Sequence, residues 1–502
     1  MSNTHQDLGG VSGMRSGHQS RRDRLAPGDG LMIGLLMGST FVVLLNEMLL
    51  GVALPTLIED LRITAATGQW LTTGYLLTLA VLIPATGFVM RRFQMRTTFL
   101  TSMSLFTMGT ALAALAPGFG VLFAGRLVQA AGTAVFLPLL MTTVMRLVPE
   151  GRRGQVMAFV VVVTAAAPAL GPAVSGLVLS QLSWRWLFIL MLPIALISLA
   201  LGAAKLRNIT TPEPVRLDPL SLLLSAVGFG ALVYGFASIG ESLSGHTPVP
   251  PYLPLILGVA GIGAFVRRQV SLQQRETLLL DVRIFAVRSF SVPLLVMLML
   301  TMTAFGSGIV LPLVLTNVNG LSSLQVGLFL VPGGVAISVV SAIGGRIYDR
   351  VGPRPLVVPG ALIVAATLFF LSQVSATTSV WTLLSAYIAM IIGQALMWSP
   401  LTTAALSALP STLYPHGSAA FSAIQQLGGA AGTAILVSAY TFGANADTSG
   451  ALDMAQAVGA AQAAFAAAAI IACASVVVSL FVRRAPAPNS TEQVAPVEVG
   501  TP

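Results

Sequence analysis

The sequence predicts an all-α polytopic membrane protein, and three observations predict it. Of 502 residues, 55% are hydrophobic and only 9% are charged, whereas a soluble domain carries about 25% charge. The mean hydropathy is +0.87. Stretches free of Asp, Glu, Lys and Arg are long: 63–90, 97–125, 127–145, 154–184, 187–204, 219–240, 242–266, 289–345, 355–446 and 454–482. One helical crossing of a bilayer core needs about 20 apolar residues. A membrane β-barrel would show short segments of alternating polarity instead.

Charge clusters and Pro/Gly breaks divide these runs into fourteen expected helices. Residues 1–30 are polar and Gly-rich and read as a disordered tail without a cleavable signal peptide. The first helix, 31–54, lies between Arg24 and Arg62. Helix 69–90 stops at Arg91 and Arg92, and 97–116 starts after Arg96. Helix 120–146 ends on Arg146, and 154–180 follows Arg152 and Arg153. Helix 185–204 runs from Arg185 to Lys205, 219–238 follows Arg216, and 251–268 closes on Arg267. The run 289–345 is cut at "TNVNGLSS" into 289–315 and 323–346. The run 355–446 is cut at "SATTS" and "LPSTLYPHG" into 355–374, 379–408 and 416–441. Helix 456–482 precedes Arg483, Arg484 and a second polar tail, 483–502.

The connecting loops alternate in charge. One set holds Arg21, Arg22, Arg24; Arg91, Arg92, Arg96; Arg146, Arg152, Arg153; Lys205, Arg207, Arg216; the arginines from Arg267 to Arg288; Arg346, Arg350, Arg354; and Arg483 with Arg484. The loop before 416–441 belongs to this set by parity and offers only His416. The other set holds only Arg62 and Arg185. The positive-inside rule then places both termini in the cytoplasm and accounts for most of the net charge of +9, so the basic loops do not point to nucleic acid. Trp70, Trp184, Trp186 and Trp381 fall at outer helix ends and read as interface anchors, with Trp398 inside a helix. The segment 267–288 mixes Arg with Leu, Val, Ile and Phe, which suits either an amphipathic stretch on the inner leaflet or a basic linker.

Two helix ends repeat one pattern. "TGFVMRRFQMRTTFL" (86–100) aligns with "GGRIYDRVGPRPLVV" (344–358), matching Gly87 with Gly345, Arg92 with Arg350 and Arg96 with Arg354. Repeated halves around a central site are common in secondary transporters. "GRIYDRVGPRP", which includes Asp349 and Gly352, resembles the loop motif G-x-x-x-D-R-x-G-R-R of the major facilitator superfamily. "LLNEMLLGVALP" (44–55), "GRLVQAAGTAV" (125–135) and "PALGPAVSG" (168–176) are similar to the motifs of its fourteen-helix drug:proton antiporter branch. "LLLDVRIFAVRSF" and "QQLGGAAGTAI" also look like this branch, and lincomycin-resistance-type and multidrug exporters are the members resembled. The resemblance spans about 30–484. It implies two six-helix bundles, 31–204 and 289–482, flanking an insertion of two helices and a linker, 205–288. The chain departs from the family at several points, among them Ala130 for the first Gly of the helix 4 motif and Ser175-Gly176 for the last Gly pair of the helix 5 motif. Arg91 stands where the first loop motif has Asp, Gln94 stands for its second Gly, and Asn46 holds the place of an Asp with Glu47 next to it.

Glu47 is the only acid well inside an expected span. A charge at the bilayer centre costs at least roughly 2.5–3.5 kcal/mol, so it must be protonated, paired or facing water. It is the candidate proton carrier; the alternative is a carboxyl that bonds a neighbouring helix and never titrates. Arg126, flanked by apolar runs on both sides, is its natural partner, and the resemblance implicates this Arg in proton coupling. Gln129 follows on the same helical face. Pro168 and Pro172 are expected to break the fifth helix, with Gly171 and Gly176 permitting close helix contact. Asn46, Gln129, Phe305, Asn317, Gln394, Trp398, Gln425 and Gln426 are candidate cavity groups, against the plainer reading that each only packs helices. Asp349 is expected to meet the positive N-terminal end of a neighbouring helix.

No G-x-x-x-x-G-K-[ST] pattern points to ATP. The four His are scattered through expected tails and loops, the single Cys473 lies in the last apolar run, and no nucleophile–base arrangement is visible. The expected function is therefore not enzymatic. It is proton-coupled export of a small lipophilic substrate across the bacterial cytoplasmic membrane, by a monomer with no cofactor besides the proton. An exporter of lipid or an endogenous metabolite, without proton coupling, is the second reading.

Overall fold

In lipid every backbone N–H and C=O must be bonded internally, so long apolar runs become helices. The computed structural model describes residues 28–63, 65–214, 218–243, 249–273, 279–321, 323–444 and 454–483. Most of both expected tails, with His5, His18 and His246, lies outside the described residues.

The described chain forms α1 (Asp29–Leu61), α2 (Ala65–Leu82), α3 (Thr86–Arg92), α4 (Met95–Ala114), α5 (Phe119–Thr133), α6 (Phe136–Leu147), α7 (Arg153–Leu179) and α8 (Arg185–Lys205). It continues as α9 (Pro219–Leu243), α10 (Tyr252–Leu272), α11 (Arg288–Asn317), α12 (Ser323–Val351), α13 (Arg354–Leu371), α14 (Val380–Ser407), α15 (Tyr414–Gly443) and α16 (Met454–Ser479). The pairs α2–α3 and α5–α6 each run nearly end to end and occupy the places of single expected helices. Among the described residues twelve helical stretches are long and apolar enough to cross a membrane; α4 and α7 lie at the two other expected positions without being among them.

Several expectations need correction. The second helix is interrupted by a 3-10 turn at Ile83–Ala85, and the fourth is jointed between Thr133 and Phe136. Pro84 and Pro138 have no N–H to bond the carbonyl four residues back, which explains both joints. The fifth helix is not broken: α7 is continuous from Arg153 to Leu179, and the side chains of Pro168 and Pro172 lie outside the described residues. Asp349 and Arg350 are not in a loop but on the last turn of α12, which Gly352 closes at φ +83. His416 is not in a loop either; it sits buried in the first turn of α15, where Pro415 needs no donor.

Trp184 is no interface anchor. It is 1% exposed, donates Nε1 to Asp60 at 2.7 Å and lies under the Arg185 guanidinium, 4.2 Å from its ring centroid. Trp70, Trp186 and Trp381 are exposed, as anchors should be. In the segment after α10, Leu279, Leu280, Asp281 and Ile284 are buried, while Arg283 and Phe285 are exposed.

α9 and α10 pack closely on each other, with Gly228 backed directly onto Gly261. This pair reaches into the molecule. Phe229 and Val233 of α9 join Tyr75, Leu79 and Ala80 of α2 and Ala423 of α15 in one apolar group. The α9–α10 pair therefore sits where helices of the N-terminal side (α2) and of the C-terminal side (α15) meet.

Candidate functional site

The most buried charge lies in the N-terminal half. Arg126 on α5 is 1% exposed. Its guanidinium carbon is 4.1 Å from the Tyr75 ring centroid on α2. Nη1 donates to Gln129 Oε1 at 3.1 Å and to Asn46 Oδ1 on α1 at 3.5 Å. Gln129 Nε2 donates to Thr110 Oγ1 of α4 at 2.8 Å, and Thr110 donates in turn to the Phe106 carbonyl at 2.7 Å. The Tyr75 hydroxyl donates to Thr133 Oγ1 at 2.8 Å, which donates to the Gln129 carbonyl at 2.9 Å. A buried cation is thus held by a π face and two neutral amide oxygens contributed by three helices.

Glu47 follows Asn46 on α1 beside this cluster and is half-buried. It makes no ion pair and no hydrogen bond among the described residues. The α1 side chain hydrogen-bonded to Arg126 is Asn46, one residue earlier. Neighbouring helix positions point about 100° apart, so only one of the two can face the guanidinium squarely. Arg126 Nε and Asn46 Nδ2 are buried without a partner. Two free donors thus remain beside a carboxylate with no bonded partner. Tyr75, Thr110 and Thr133 are site residues that sequence reasoning missed; as uncharged residues in apolar runs they carry no signal there.

The fifth-helix motif packs onto α1. A Cβ on Gly171 would meet Met48 Cβ at 2.5 Å, and Ser175 Oγ donates to the Leu49 carbonyl at 2.8 Å. Gly176 departs from its expected role, since it is exposed and nothing lies against it. Among the described residues the remaining cavity candidates do not join the Arg126 cluster through any hydrogen bond. Asn317 donates to the Tyr440 hydroxyl at 3.1 Å; Gln394 and Gln425 are buried; Trp398 and Gln426 are half-buried; Phe305 is exposed and packs near Gly429.

At the Arg-rich end the two halves are latched twice. Gly154 and Gln155, in the first turn of α7, donate their amides to Asp349 Oδ1 and Oδ2 at 2.8 and 3.0 Å. Gly345 lies beneath, where a Cβ would meet the Gly154 carbonyl at 2.5 Å. Ser399 Oγ adds a bond to that carbonyl at 3.3 Å. In the other latch Arg91 of α3 forms an ion pair with Glu213, and its Nη1 lies 3.1 Å from His416 Nε2 on α15. The Asp281 amide lies 3.4 Å from His416 Nδ1. Gly87 packs on the same His, and Thr142 and Ser418 share a 2.7 Å hydrogen bond nearby. Arg92, Arg350 and Arg354 are exposed, while Arg96 donates its backbone amide to Asn208 Oδ1 at 3.2 Å and Nη2 to the Ala203 carbonyl at 2.6 Å.

The linker is tied into the second latch. Gln269 Oε1 accepts the Leu279 and Leu280 amides at 3.0 and 3.2 Å, and its Nε2 donates to Ser221. Asp218 receives Ser221 and Arg268. The Arg268 guanidinium is the main cause that pushes the Asp218 carboxyl down to about 2. At Asp281 burial works against the charge, but Arg283 and its amide hold the carboxyl below its ordinary range.

The sequence model of the Major Facilitator Superfamily matches residues 36–433. The chain belongs to the major facilitator superfamily. It is similar to the uncharacterized MFS-type transporter YcnB of Bacillus subtilis, 39% identical, with 81% of this chain and 85% of that protein covered. It is 37% identical to lincomycin resistance protein LmrB of Listeria monocytogenes (83% and 87% covered). It is 31% identical to a multidrug resistance protein B homolog of Mycobacterium tuberculosis (84% and 78% covered). Among solved structures the fold resembles the human organic anion transporter MFSD10, with a TM-score of 0.63 at 14% identity over 90% of this chain and all of that one. It also resembles the proton:xylose symporter XylE, with a TM-score of 0.61 at 16% identity over 91% and 96%. This major facilitator protein is a multi-pass membrane transporter, not an enzyme.

Proposed function

We propose that the chain exports small lipophilic or amphiphilic compounds, drugs among them, in exchange for protons by alternating access. The observation that carries this reading is Glu47, a carboxyl group without a bonded partner among the described residues, on the helix whose Asn46 meets a buried guanidinium with an unpartnered Nε. Protonated, Glu47 leaves Arg126 to its neutral acceptors. Ionised, it can turn to the two free donors of Arg126 and Asn46. Each state favours a different arrangement of α1 against α5, which is the requirement for coupling a proton to a conformational change. The names of the relatives LmrB and multidrug resistance protein B homolog support the substrate class.

In this reading 31–204 and 289–482 are the two moving bundles, and 205–288 is an insertion between them. The Arg-rich end is cytoplasmic, so the two latches close the inner gate. The second reading, export without proton coupling of a lipid or metabolite, is favoured by one observation: the α1 side chain bonded to Arg126 is the neutral Asn46.

The deciding experiment is substrate transport driven by a pH gradient in proteoliposomes, wild type beside Glu47→Gln. Under proton exchange the wild type accumulates substrate against its gradient, and Glu47→Gln retains only downhill flux. Equal pH-driven transport by both proteins makes Glu47 structural with coupling elsewhere, and no response of either to a pH gradient with a broad drug panel favours the second reading.

A further inference from the structure

A cavity of about 140 Å³ opens at the Arg-rich end between the start of α11 and the residues that follow α16. Arg288, Ser289, Val292 and Pro293 line one side, and Phe481 and Arg483 the other. Both arginines are exposed, and neither has a carboxylate within 4 Å among the described residues. Arg91, Arg153, Arg268 and Arg283 at this end each have an acid partner; of the exposed arginines without one among the described residues, Arg288 and Arg483 are set apart by lining one cavity together. The guanidinium of Arg288 reaches only the Phe481 ring, 5.9 Å from its centroid. The surface running from the cavity along the helices is apolar and exposed, with Val477 and Leu480 on one side and Leu295 on the other.

Two uncompensated guanidinium groups over an apolar floor, at the level where a span meets the membrane surface, match one kind of ligand. A phosphate ester offers oxygens for the planar N–H forks of arginine. An acyl chain attached to it would lie along Val477, Leu480 and Leu295. Basic pockets between membrane helices on the cytoplasmic side hold anionic lipid head groups in this way. We infer that the Arg288–Arg483 cavity binds the phosphodiester head group of an anionic phospholipid, stapling α11 to the end of α16. Those are the first and last helices of the C-terminal half, so the lipid would brace that half at its seam.

The test uses the full-length protein in neutral detergent, titrated with dioctanoylphosphatidylglycerol, dioctanoylphosphatidylcholine or inorganic phosphate. Bound lipid is counted by native mass spectrometry, and thermal unfolding is followed in parallel. Wild type is expected to bind the phosphatidylglycerol selectively. Arg288→Gln and Arg483→Gln should each weaken binding about fivefold, and the double variant roughly thirtyfold. Arg346→Gln/Arg350→Gln, two exposed arginines of the same end, should leave it unchanged. The unfolding midpoint without lipid reports whether the double variant is folded, and Arg288→Lys/Arg483→Lys, which keeps both charges, should retain most of the binding. Equal binding of phosphatidylcholine, or undiminished phosphatidylglycerol binding by the double Gln variant, overturns the inference. Inorganic phosphate that matches the lipid in affinity overturns the lipid as ligand in favour of the free anion.

Discussion

Where α12 ends, an acid meets the start of a helix; where α3 ends, a base does. The two junctions are copies in sequence and in place, with Gly345 and Gly87 at the crossing. Asp349 satisfies the amides of Gly154 and Gln155, the second and third residues of α7. Helix starts leave such donors unbonded and carry partial positive charge, so an acid is stabilising there. The corresponding residues of α15 are Pro415 and His416. Proline has no amide hydrogen to offer, so an acid at position 91 would find one of its two donors missing. Arg91 instead sits beside the imidazole, and its charge is balanced by Glu213 from a loop 122 residues away. The lost acid and the proline across from it make sense together. The first latch joins α12 directly to the start of α7, while the second also draws on Glu213 and Asp281 from the segments bordering α9 and α10.

The largest effect is expected from Asp349→Ala. Hydrogen bonds to a charged group contribute about 1.5–3 kcal/mol, so closure of this latch should weaken roughly tenfold to a hundredfold. In a Cys473→Ser background, a cysteine at position 399 would be alkylated faster by that factor; an unchanged rate breaks the comparison at its stronger end. Next comes Gly345→Ala, whose Cβ has only backbone and Ala158 to push against. It should lower stability by about 1–3 kcal/mol, while Gly87→Ala, with its nearest contact at 3.1 Å on the His416 ring, should cost less. Thermal unfolding of the two variants checks this, and equal losses would make the crossings equivalent.

A smaller effect is expected at Arg91 and Glu213. Partly exposed pairs contribute about 0–1 kcal/mol. A double-mutant cycle read by a cysteine at position 418 should therefore give less than about fivefold coupling. Coupling as strong as the Asp349 effect would erase the asymmetry. The smallest effect is acid-dependent. Asp218 has its folded value depressed to about 2 from 3.8. Its stabilisation is present above the unfolded value and is lost as pH falls through 3.8 toward about 2. The linker that reaches His416 hangs on this pair through Ser221 and Gln269, so the position-418 cysteine should label faster across that window. Asp218→Asn should remove the added pH dependence; a wild-type response it leaves intact would uncouple the inserted pair from the latch.

The architecture was legible because charges are rare here and therefore informative. Arg clusters marked helix ends, and Glu47 and Arg126 stood out inside apolar runs. What escaped were residues whose role depends on a partner far along the chain. Tyr75 and Thr133 look like any polar atoms in a span until α2 meets α5. Glu213 reads as a loop acid until α3 reaches it. His416 was misplaced because Pro415 and Gly417 look like a loop, although proline is at home in a first helical turn. The twist of α1 that turns Asn46 rather than Glu47 onto Arg126 follows from packing and not from the motif's spacing.

The guanidinium of Arg126 also has a consequence for how the chain is made. Alone in lipid, α5 would carry a charge costing at least roughly 2.5–3.5 kcal/mol. The groups that offset it, Asn46 and Tyr75, lie on α1 and α2, which leave the ribosome earlier. The helix that carries Arg126 can therefore be handed from the translocon to partners already in the membrane, which makes the cluster a checkpoint of biogenesis. Substitution of Tyr75 by Ala should register first in the yield of inserted protein, before any transport is measured.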